Sequence, residues 1–130
     1  MTLLLDSSVL FELENGDAKL SHSLEQISKQ HKKRPCISFI SLVEFLYGYE
    51  GLAIEKKVKS KEFIWKFPVL QTTNATAVLL SALKYKYDRL GKQKSMTDLF
   101  IASQALEHDL VLVTKDKDFS DIGEIKKIII

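Results

Sequence analysis

Four acidic residues lie where folding could gather them into one site. Asp6 directly follows a short apolar run near the N-terminus, and Asp116 follows a β-branched run near the C-terminus. Glu44 falls in the first turns of a helical segment, and Asp98 begins another that leads into the β-branched run. Because open parallel sheets bind ligands at the carboxyl ends of their strands, we expect Asp6, Glu44 and Asp116 at that edge. Asp98 is less constrained, since the start of a helix need not adjoin the strand ends.

Carboxylates gathered in this way suggest a metal site. At neutral pH they repel one another, so they must take up protons or bind a cation. Oxygen ligands without His or Cys suit Mg²⁺ or Mn²⁺, and such ions support hydrolysis of phosphate esters. Each acid alone also has a structural interpretation. Acids in a first helical turn are stabilised by the helix dipole, and Ser41 with Glu44 fits a capping box.

The elements that must position these acids alternate between short apolar runs and helical patterns. The predicted strands cover about 2–5, 35–37, 68–71, 110–114 and 128–130. A brief first helix is predicted to end near residue 14. Further predicted helices cover about 18–30, 41–49, 55–67, 74–90 and 97–108, and a turn is predicted at 116–119. The clearest apolar stripe lies on the fifth helix, at Ala75, Val78, Leu79, Ala82, Leu83, Tyr87 and Leu90. Continuous apolar strands predict an α/β fold with a largely parallel sheet that is covered on both faces.

Composition narrows the class of protein. With 130 residues, 45% hydrophobic and 28% charged, the chain fits a single globular domain over residues 1–130. The net charge of +2 does not by itself argue for a nucleic-acid partner. One Cys and three His without ligand spacing argue against disulfides and structural zinc. Without a signal peptide or a membrane-spanning run, we expect no membrane association and a cytoplasmic location.

Four segments together resemble, in the same order, the motifs of PIN-domain ribonucleases. They are Asp6-Ser7-Ser8, 43–48 (VEFLYG), 97–102 (TDLFIA) and 114–119 (TKDKDF). The length of the chain and the early position of the first acid are similar to those of VapC toxins from toxin–antitoxin pairs. The resemblance extends over residues 1–130. It implies a three-layer α/β/α sandwich and a Mg²⁺- or Mn²⁺-dependent endoribonuclease.

The resemblance also implies roles for the four acids, carried over position by position. Asp6 and Asp98 would be the direct metal ligands or would bind through water. Glu44 would complete the metal shell or orient the attacking water, and Asp116 would hold a second ion or a water. The implied reaction is hydrolysis of an RNA phosphodiester that leaves 3′-hydroxyl and 5′-phosphate ends.

Hydroxyl groups near the acids match further family positions. Ser8 would bond Asp6, a metal-bound water or the scissile phosphate, and Thr114 would orient the fourth acid. Asp118 competes with Asp116 for the fourth position, and we interpret it instead as a carboxylate that caps the turn. Phe119 is interpreted as a core residue, and Gly48 as a packing or helix-end glycine.

RNA must approach a pocket of like charge, so a cationic rim is expected. The candidates beside the acids are Lys92, Lys94, Lys115 and Lys117. Phosphate contact and a plain solvated loop are equally compatible with these lysines. Contact with RNA predicts an affinity that falls steeply with salt. The lysines of 56–61 are better explained as a charged solvent face.

Partners follow from the resemblance. An antitoxin segment is expected to place apolar side chains in a groove near Tyr47, Phe63 and Trp65, although Trp65 alone is more typical of a half-buried packing residue. A homodimer is expected by analogy.

Alternatives are a housekeeping PIN nuclease without an antitoxin, or a catalytically inactive PIN-like binding module. A response-regulator receiver does not fit the order of motifs. A haloacid-dehalogenase-like phosphatase would need an Asp where Ser8 stands.

Overall fold

A computed structural model describes residues 2–31 and 33–130. The strands of the described chain are β1 (Leu3–Leu5), β2 (Cys36–Ile37), β3 (Val111–Thr114) and β4 (Lys126–Ile129). Its helices are α1 (Ser7–Glu14), α2 (Ala18–Ser28), α3 (Phe39–Tyr49), α4 (Ile54–Ile64), α5 (Asn74–Arg89) and α6 (Met96–Glu107), followed by a 3₁₀ turn at Lys117–Phe119. Among these residues, no helix has both the length and the apolar character needed to cross a membrane.

The sheet is parallel throughout its described strands, in the order β2-β1-β3-β4. Leu4 of β1 lies opposite Cys36 of β2 on one side and Leu112 of β3 on the other. Every residue of β1 and β3 is buried. Two central strands covered on both faces account for their unbroken apolar sequences.

Helices cover both faces of this sheet. Leu4 and Leu112 belong to one buried cluster, which includes Leu83 of α5 and Ile101 of α6. The neighbouring strand residues point to the opposite face and join a second cluster with α1, α2, α3 and α4. The three-layer α/β/α sandwich predicted from the sequence is therefore confirmed.

Helix α3 begins earlier than the sequence suggested. Its N-cap is Ser38, whose hydroxyl accepts a hydrogen bond from the Ile40 amide at 3.3 Å. Ser41 is buried inside the helix and does not cap it. The proposed capping box between Ser41 and Glu44 is therefore wrong, and the Glu44 carboxylate is not needed at the helix start.

Helix α5 buries only part of the predicted stripe, because Leu83 and Tyr87 are buried as predicted but other stripe residues are not. Its buried residues are Thr76, Leu83 and Tyr87, while Val78 and Leu90 are mostly exposed. Two hydroxyl groups fix this orientation: Thr76 Oγ1 bonds Glu107 at 2.5 Å, and Tyr87 Oη bonds Glu124 at 2.7 Å. Polar contacts at both ends thus set the rotation of the helix against the sheet.

The predicted strand at 68–71 reduces to an isolated bridge between Val69 and Ile37. The Ile37 amide donates to the Pro68 carbonyl, and the Leu70 amide donates to the Ile37 carbonyl, both at 2.9 Å. Pro68 has no amide hydrogen to extend the ladder, which limits the pairing here. The preceding helix α4 also stops at Ile64 and not near residue 67.

A close approach joins α1 to α3. A Cβ atom at Gly48 would lie 2.7 Å from ring carbons of Phe11, which is closer than real Cβ atoms come. Phe11 in turn stacks on Phe45, with ring centroids 5.2 Å apart. Gly48 is therefore a packing glycine, as interpreted from the sequence. It allows two helices that carry candidate site residues to lie against each other.

Candidate active site

Asp6 lies at the end of β1 and is buried. Its backbone amide donates to the Val113 carbonyl at 3.0 Å, which continues the pairing of β1 with β3. Its Oδ2 atom accepts hydrogen bonds from Ser8 Oγ at 3.0 Å and from Thr114 Oγ1 at 2.7 Å. The carboxylate is therefore held by hydroxyl groups from two separate elements.

The same hydroxyls fix the chain after β3. Thr114 Oγ1 accepts a hydrogen bond from the Asp116 amide at 3.0 Å, and Ser8 Oγ accepts one from the Lys115 amide at 3.2 Å. Thr114 thus contacts the carboxylate of Asp6 and the backbone of Asp116. The loop that carries the fourth acid is tied directly to the first acid.

Glu44 projects from α3 toward this edge. Ser7 Oγ donates a hydrogen bond to Glu44 Oε1 at 3.2 Å. Burial raises the pKa of Glu44, the nearby charges of Asp6 and Asp98 raise it further, and the hydrogen bond from Ser7 opposes them. Ser7 had no predicted role, although it stands inside the Asp6-Ser7-Ser8 motif.

Asp98 lies in the first turn of α6. Ser95 is the N-cap of this helix, and its hydroxyl accepts a hydrogen bond from the Asp98 amide at 3.1 Å. Partial burial raises the pKa of Asp98, as do the charges of Asp116, Asp6 and Asp118. Because the charges that raise this pKa belong to the other acids, Asp98 lies at the strand-end edge after all.

Three carboxylates come together most closely. One oxygen from each of Asp98, Asp116 and Asp118 lies within 4.8 Å of the others. Asp116 Oδ1 also accepts a hydrogen bond from the Asp118 amide at 2.9 Å, so Asp116 caps the 3₁₀ turn. The interpretation of Asp118 as the capping carboxylate is therefore wrong. Asp118 is exposed and belongs to the acidic group itself.

These acids line a polar cleft of about 530 Å³. Its lining residues are Glu44, Gln93, Lys94, Ser95, Thr97, Asp98, Asp116 and Asp118. Asp6 is buried and is not among these lining residues, but its charge contributes to the raised pKa values of Glu44 and Asp98. Carboxylate oxygens at this spacing, without a nitrogen or sulfur ligand, are the donor set that a hard divalent cation prefers.

The lysines around the cleft differ in their contacts. Lys115 pairs with Glu12 at 2.6 Å, and Lys92 lies 3.9 Å from Asp121. Lys94 bonds Asp121 and the backbone carbonyl of Asp118. Lys117 is exposed and makes no ion pair with residues 2–31 or 33–130. Of the predicted cationic rim, most members are therefore already engaged within the protein.

Aromatic residues of α3 and α4 divide into two groups. Phe63 packs against Phe45 and Phe67, with ring centroids 5.8 and 5.3 Å apart. Tyr47 is 80% exposed and Trp65 is 59% exposed. The interpretation of Trp65 as a half-buried packing residue is therefore wrong, because the helix ends at Ile64 and the indole follows on the surface.

Comparisons with known proteins agree with this fold. Residues 3–125 match the sequence model of the PIN domain. A Salmonella typhimurium protein named tRNA(fMet)-specific endonuclease VapC is 30% identical, with 97% of this chain and 96% of that protein aligned. A Shigella flexneri protein of the same name is 23% identical over the same shares of the two chains.

Solved structures show the same architecture. A chain of VapBC2 from Rickettsia felis, crystallised with promoter DNA, superposes with a TM-score of 0.87 at 21% identity and covers 100% of this chain and 99% of that one. A chain of DNA-bound VapBC from Salmonella typhimurium gives a TM-score of 0.82 at 26% identity, with 98% and 97% coverage. The match to the family model and the 30% identical relative show that this chain belongs to the PIN domain family and is of the VapC type.

Proposed function

We propose that this protein is a divalent-cation-dependent endoribonuclease and the toxin of a type II toxin–antitoxin pair. The observation that carries the proposal is the group formed by Asp98, Asp116 and Asp118, whose oxygens lie within 4.8 Å of one another beside Glu44. Relatives named tRNA(fMet)-specific endonuclease support RNA as the substrate class. The solved neighbours that are complexes of VapB with VapC support an antitoxin partner.

The acidic group fits Mg²⁺ or Mn²⁺. Asp98 and Asp116 would hold the cation, exposed Asp118 offers a further oxygen, and Asp6 adds negative charge near Asp98. When bound, such a cation polarises the scissile phosphate and promotes ionisation of the attacking water. Burial raises the pKa of Asp98 and the neighbouring carboxylates raise it further, so a bound cation would relieve a repulsion that the fold already contains.

The remaining residues of the site orient its carboxylates, and one carboxylate oxygen would accept a proton. Ser8 and Thr114 fix the rotamer of Asp6 through its Oδ2 atom. Ser7 holds Glu44 Oε1, which leaves Oε2 available to orient a water or accept its proton. In the proposed hydrolysis the water oxygen bonds to phosphorus and the bond from phosphorus to the 3′ oxygen breaks. The 3′ oxygen takes a proton, which gives 3′-hydroxyl and 5′-phosphate ends.

The antitoxin and dimer surfaces are proposals of the same kind. Tyr47 and Trp65 place exposed aromatic surface on the α3–α4 side, beside the helix that carries Glu44. An antitoxin segment with apolar side chains could cover this surface and reach the acids. A homodimer is proposed by analogy with the family.

The proposal is tested by looking for cleavage of cellular RNA. Brief expression of the wild-type chain, followed by sequencing of new 5′ ends in total RNA, is expected to reveal discrete cleavage sites. The Asp98→Asn variant is the matched control and is expected to leave the RNA intact. Purified protein should cleave the same RNA only with Mg²⁺ or Mn²⁺ present. Cleavage that survives EDTA, or that survives Asp98→Asn, would reject the proposal.

A further inference from the structure

We propose that Lys94 is a positioning residue that holds the two halves of the acidic group together, and that it is not an RNA-contacting residue of the rim. One half is Asp98, on α6. The other half is Asp116 and Asp118, on the loop after β3. The inference rests on the proposed metal-dependent function, because it concerns the spacing of the carboxylates that would hold the cation.

The contacts of Lys94 tie the segment just before α6 to the loop after β3. Its Nζ donates a hydrogen bond to the backbone carbonyl of Asp118 at 2.8 Å and forms an ion pair with Asp121. The side chain is only 11% exposed, which is low for a lysine on a loop. The contact with Lys94 also lowers the pKa of Asp121, so this carboxylate stays charged over a wide pH range.

The position of Lys94 in the chain makes these contacts consequential. Lys94 immediately precedes Ser95, the N-cap whose hydroxyl accepts from the Asp98 amide. A displacement of Lys94 is therefore transmitted through one residue to the start of α6. The like charges of Asp98 and Asp116 push their two segments apart. A restraint between the segments is needed to keep the carboxylates at a spacing that suits one cation.

Lys92 provides a matched comparison. It pairs with the same carboxylate, Asp121, but at 3.9 Å and with a side chain that is 52% exposed. Unlike Lys94, it makes no hydrogen bond to the Asp118 carbonyl in the described part of the chain. Loss of either lysine removes one positive charge near the acids. Only the loss of Lys94 also removes the hydrogen bond to the Asp118 carbonyl and the close ion pair with Asp121, which together are called the link below.

The experiment measures Mn²⁺ affinity of the purified, metal-free protein by calorimetry. Charge alone predicts that Lys94→Met and Lys92→Met both tighten Mn²⁺ binding, because each removes a repelling cation. If Lys94 forms the link, the Mn²⁺ affinity of Lys94→Met should change in the opposite direction and fall about tenfold. Lys92→Met should change it less than about twofold. Equal affinities for the two variants, or tighter binding by Lys94→Met, would overturn the inference.

A conservative variant guards against a simple folding defect. Lys94→Arg keeps the charge and two donors for Asp118 and Asp121, and it should bind Mn²⁺ within about threefold of wild type. A loss as large as that of Lys94→Met would count against the link. Amide hydrogen exchange over 116–121 gives a second readout: it should quicken in Lys94→Met and stay unchanged in Lys92→Met.

The competing role gives a different result. If Lys94 contacted RNA, Lys94→Met would weaken RNA binding and lower its salt dependence by about one charge, with Mn²⁺ affinity preserved. A different result would reject the proposed function: cleavage of RNA by the wild type that is unchanged by EDTA. The link fails when the wild type binds Mn²⁺ and the Lys94 and Lys92 variants bind it equally well.

Discussion

The two ends of α6 carry carboxylates in opposite surroundings. Asp98, in the first turn, faces other acids, and burial together with the charge of Asp116 raises its pKa. Glu107, the last residue, accepts hydrogen bonds from Thr76 Oγ1 at 2.5 Å and from Thr73 Oγ1 at 2.9 Å. These bonds hold the pKa of Glu107 below its usual range. One helix thus presents an acid repelled by its neighbours at one end and a hydrogen-bonded acid at the other.

These surroundings make Glu107 an acid that stabilises the fold and leave the Asp98 carboxylate available to a ligand. Thr73 is the N-cap of α5, so the Glu107 charge lies near a helix N-terminus, where the helix dipole favours it. Its oxygens are committed to holding α5 against α6. The Asp98 carboxylate costs stability in the absence of a cation, and its surroundings make it a functional candidate. The partners of a carboxylate therefore indicate its role better than its exposure does.

The largest expected effect is the loss of activity in Asp98→Asn. If Asp98 is a direct ligand of the cation, as proposed, its removal should lower RNA cleavage at least about 100-fold. The same change should raise the melting temperature of the metal-free protein, because it removes a charge that Asp116 and Asp6 repel. Cleavage assays and thermal melts in EDTA test both signs. A variant that loses activity and also loses stability would break the comparison.

Cation binding should distinguish the two ends in the same assay. At a Mn²⁺ concentration about 100 times its dissociation constant, wild type should gain about 2.7 kcal/mol in unfolding free energy. Glu107→Gln should show the same gain from its own lower baseline, and Asp98→Asn should show little. Urea titrations with and without Mn²⁺ give these values. Equal gains in all three proteins would place the cation elsewhere.

Loss of the other carboxylate should affect stability alone. Glu107→Ala leaves the hydroxyls of Thr73 and Thr76 without their acceptor and should lower the unfolding free energy by about 1–3 kcal/mol. Metal-dependent cleavage, measured well below the melting temperature, should stay near the wild-type rate. A large loss of cleavage by the folded variant would show that the two ends of α6 are coupled.

The smallest expected effect is a pH dependence of opposite sign at the two ends. The raised pKa of Asp98 means that the advantage of Asp98→Asn in the metal-free protein should grow as pH rises through that pKa. The lowered pKa of Glu107, which His108 and both threonines favour, means that its contribution is present above the usual glutamate range. That contribution should disappear as the pH falls through the lowered pKa. Unfolding free energies of wild type and both variants across acidic to neutral pH test the two signs.

The strand ends could be predicted because their signals are local. Asp6 follows an unbroken apolar run, and Asp116 follows another, so the topology of a parallel sheet brings both to one edge. The start of α3 could not be fixed in the same way. Ser38 and Ser41 are both good N-caps, and the choice depends on the tertiary burial of Ser41.

The rotation of α5 and the contacts of the lysines depend on distant partners. Thr76 and Tyr87 turn inward because Glu107 and Glu124 accept their hydroxyls, and neither pairing has a sequence pattern. The role of Lys94 likewise depends on a carbonyl 24 residues away. For Asp116 and Asp118 the spacing was visible, but which carboxylate capped the turn depended on the backbone path between them.

The hydrogen bond between Asp6 and Thr114 joins residues 108 positions apart. During synthesis on the ribosome, the first acid emerges long before the strand that must pair beside it. The motif 43–48 and α6 can be complete while Asp6 still lacks the neighbour that orients it. A nascent or truncated chain that stops before β3 therefore carries Asp6, Glu44 and Asp98 without the arrangement on which the proposed activity depends. The proposed activity therefore requires synthesis of β3 and of the loop that follows it.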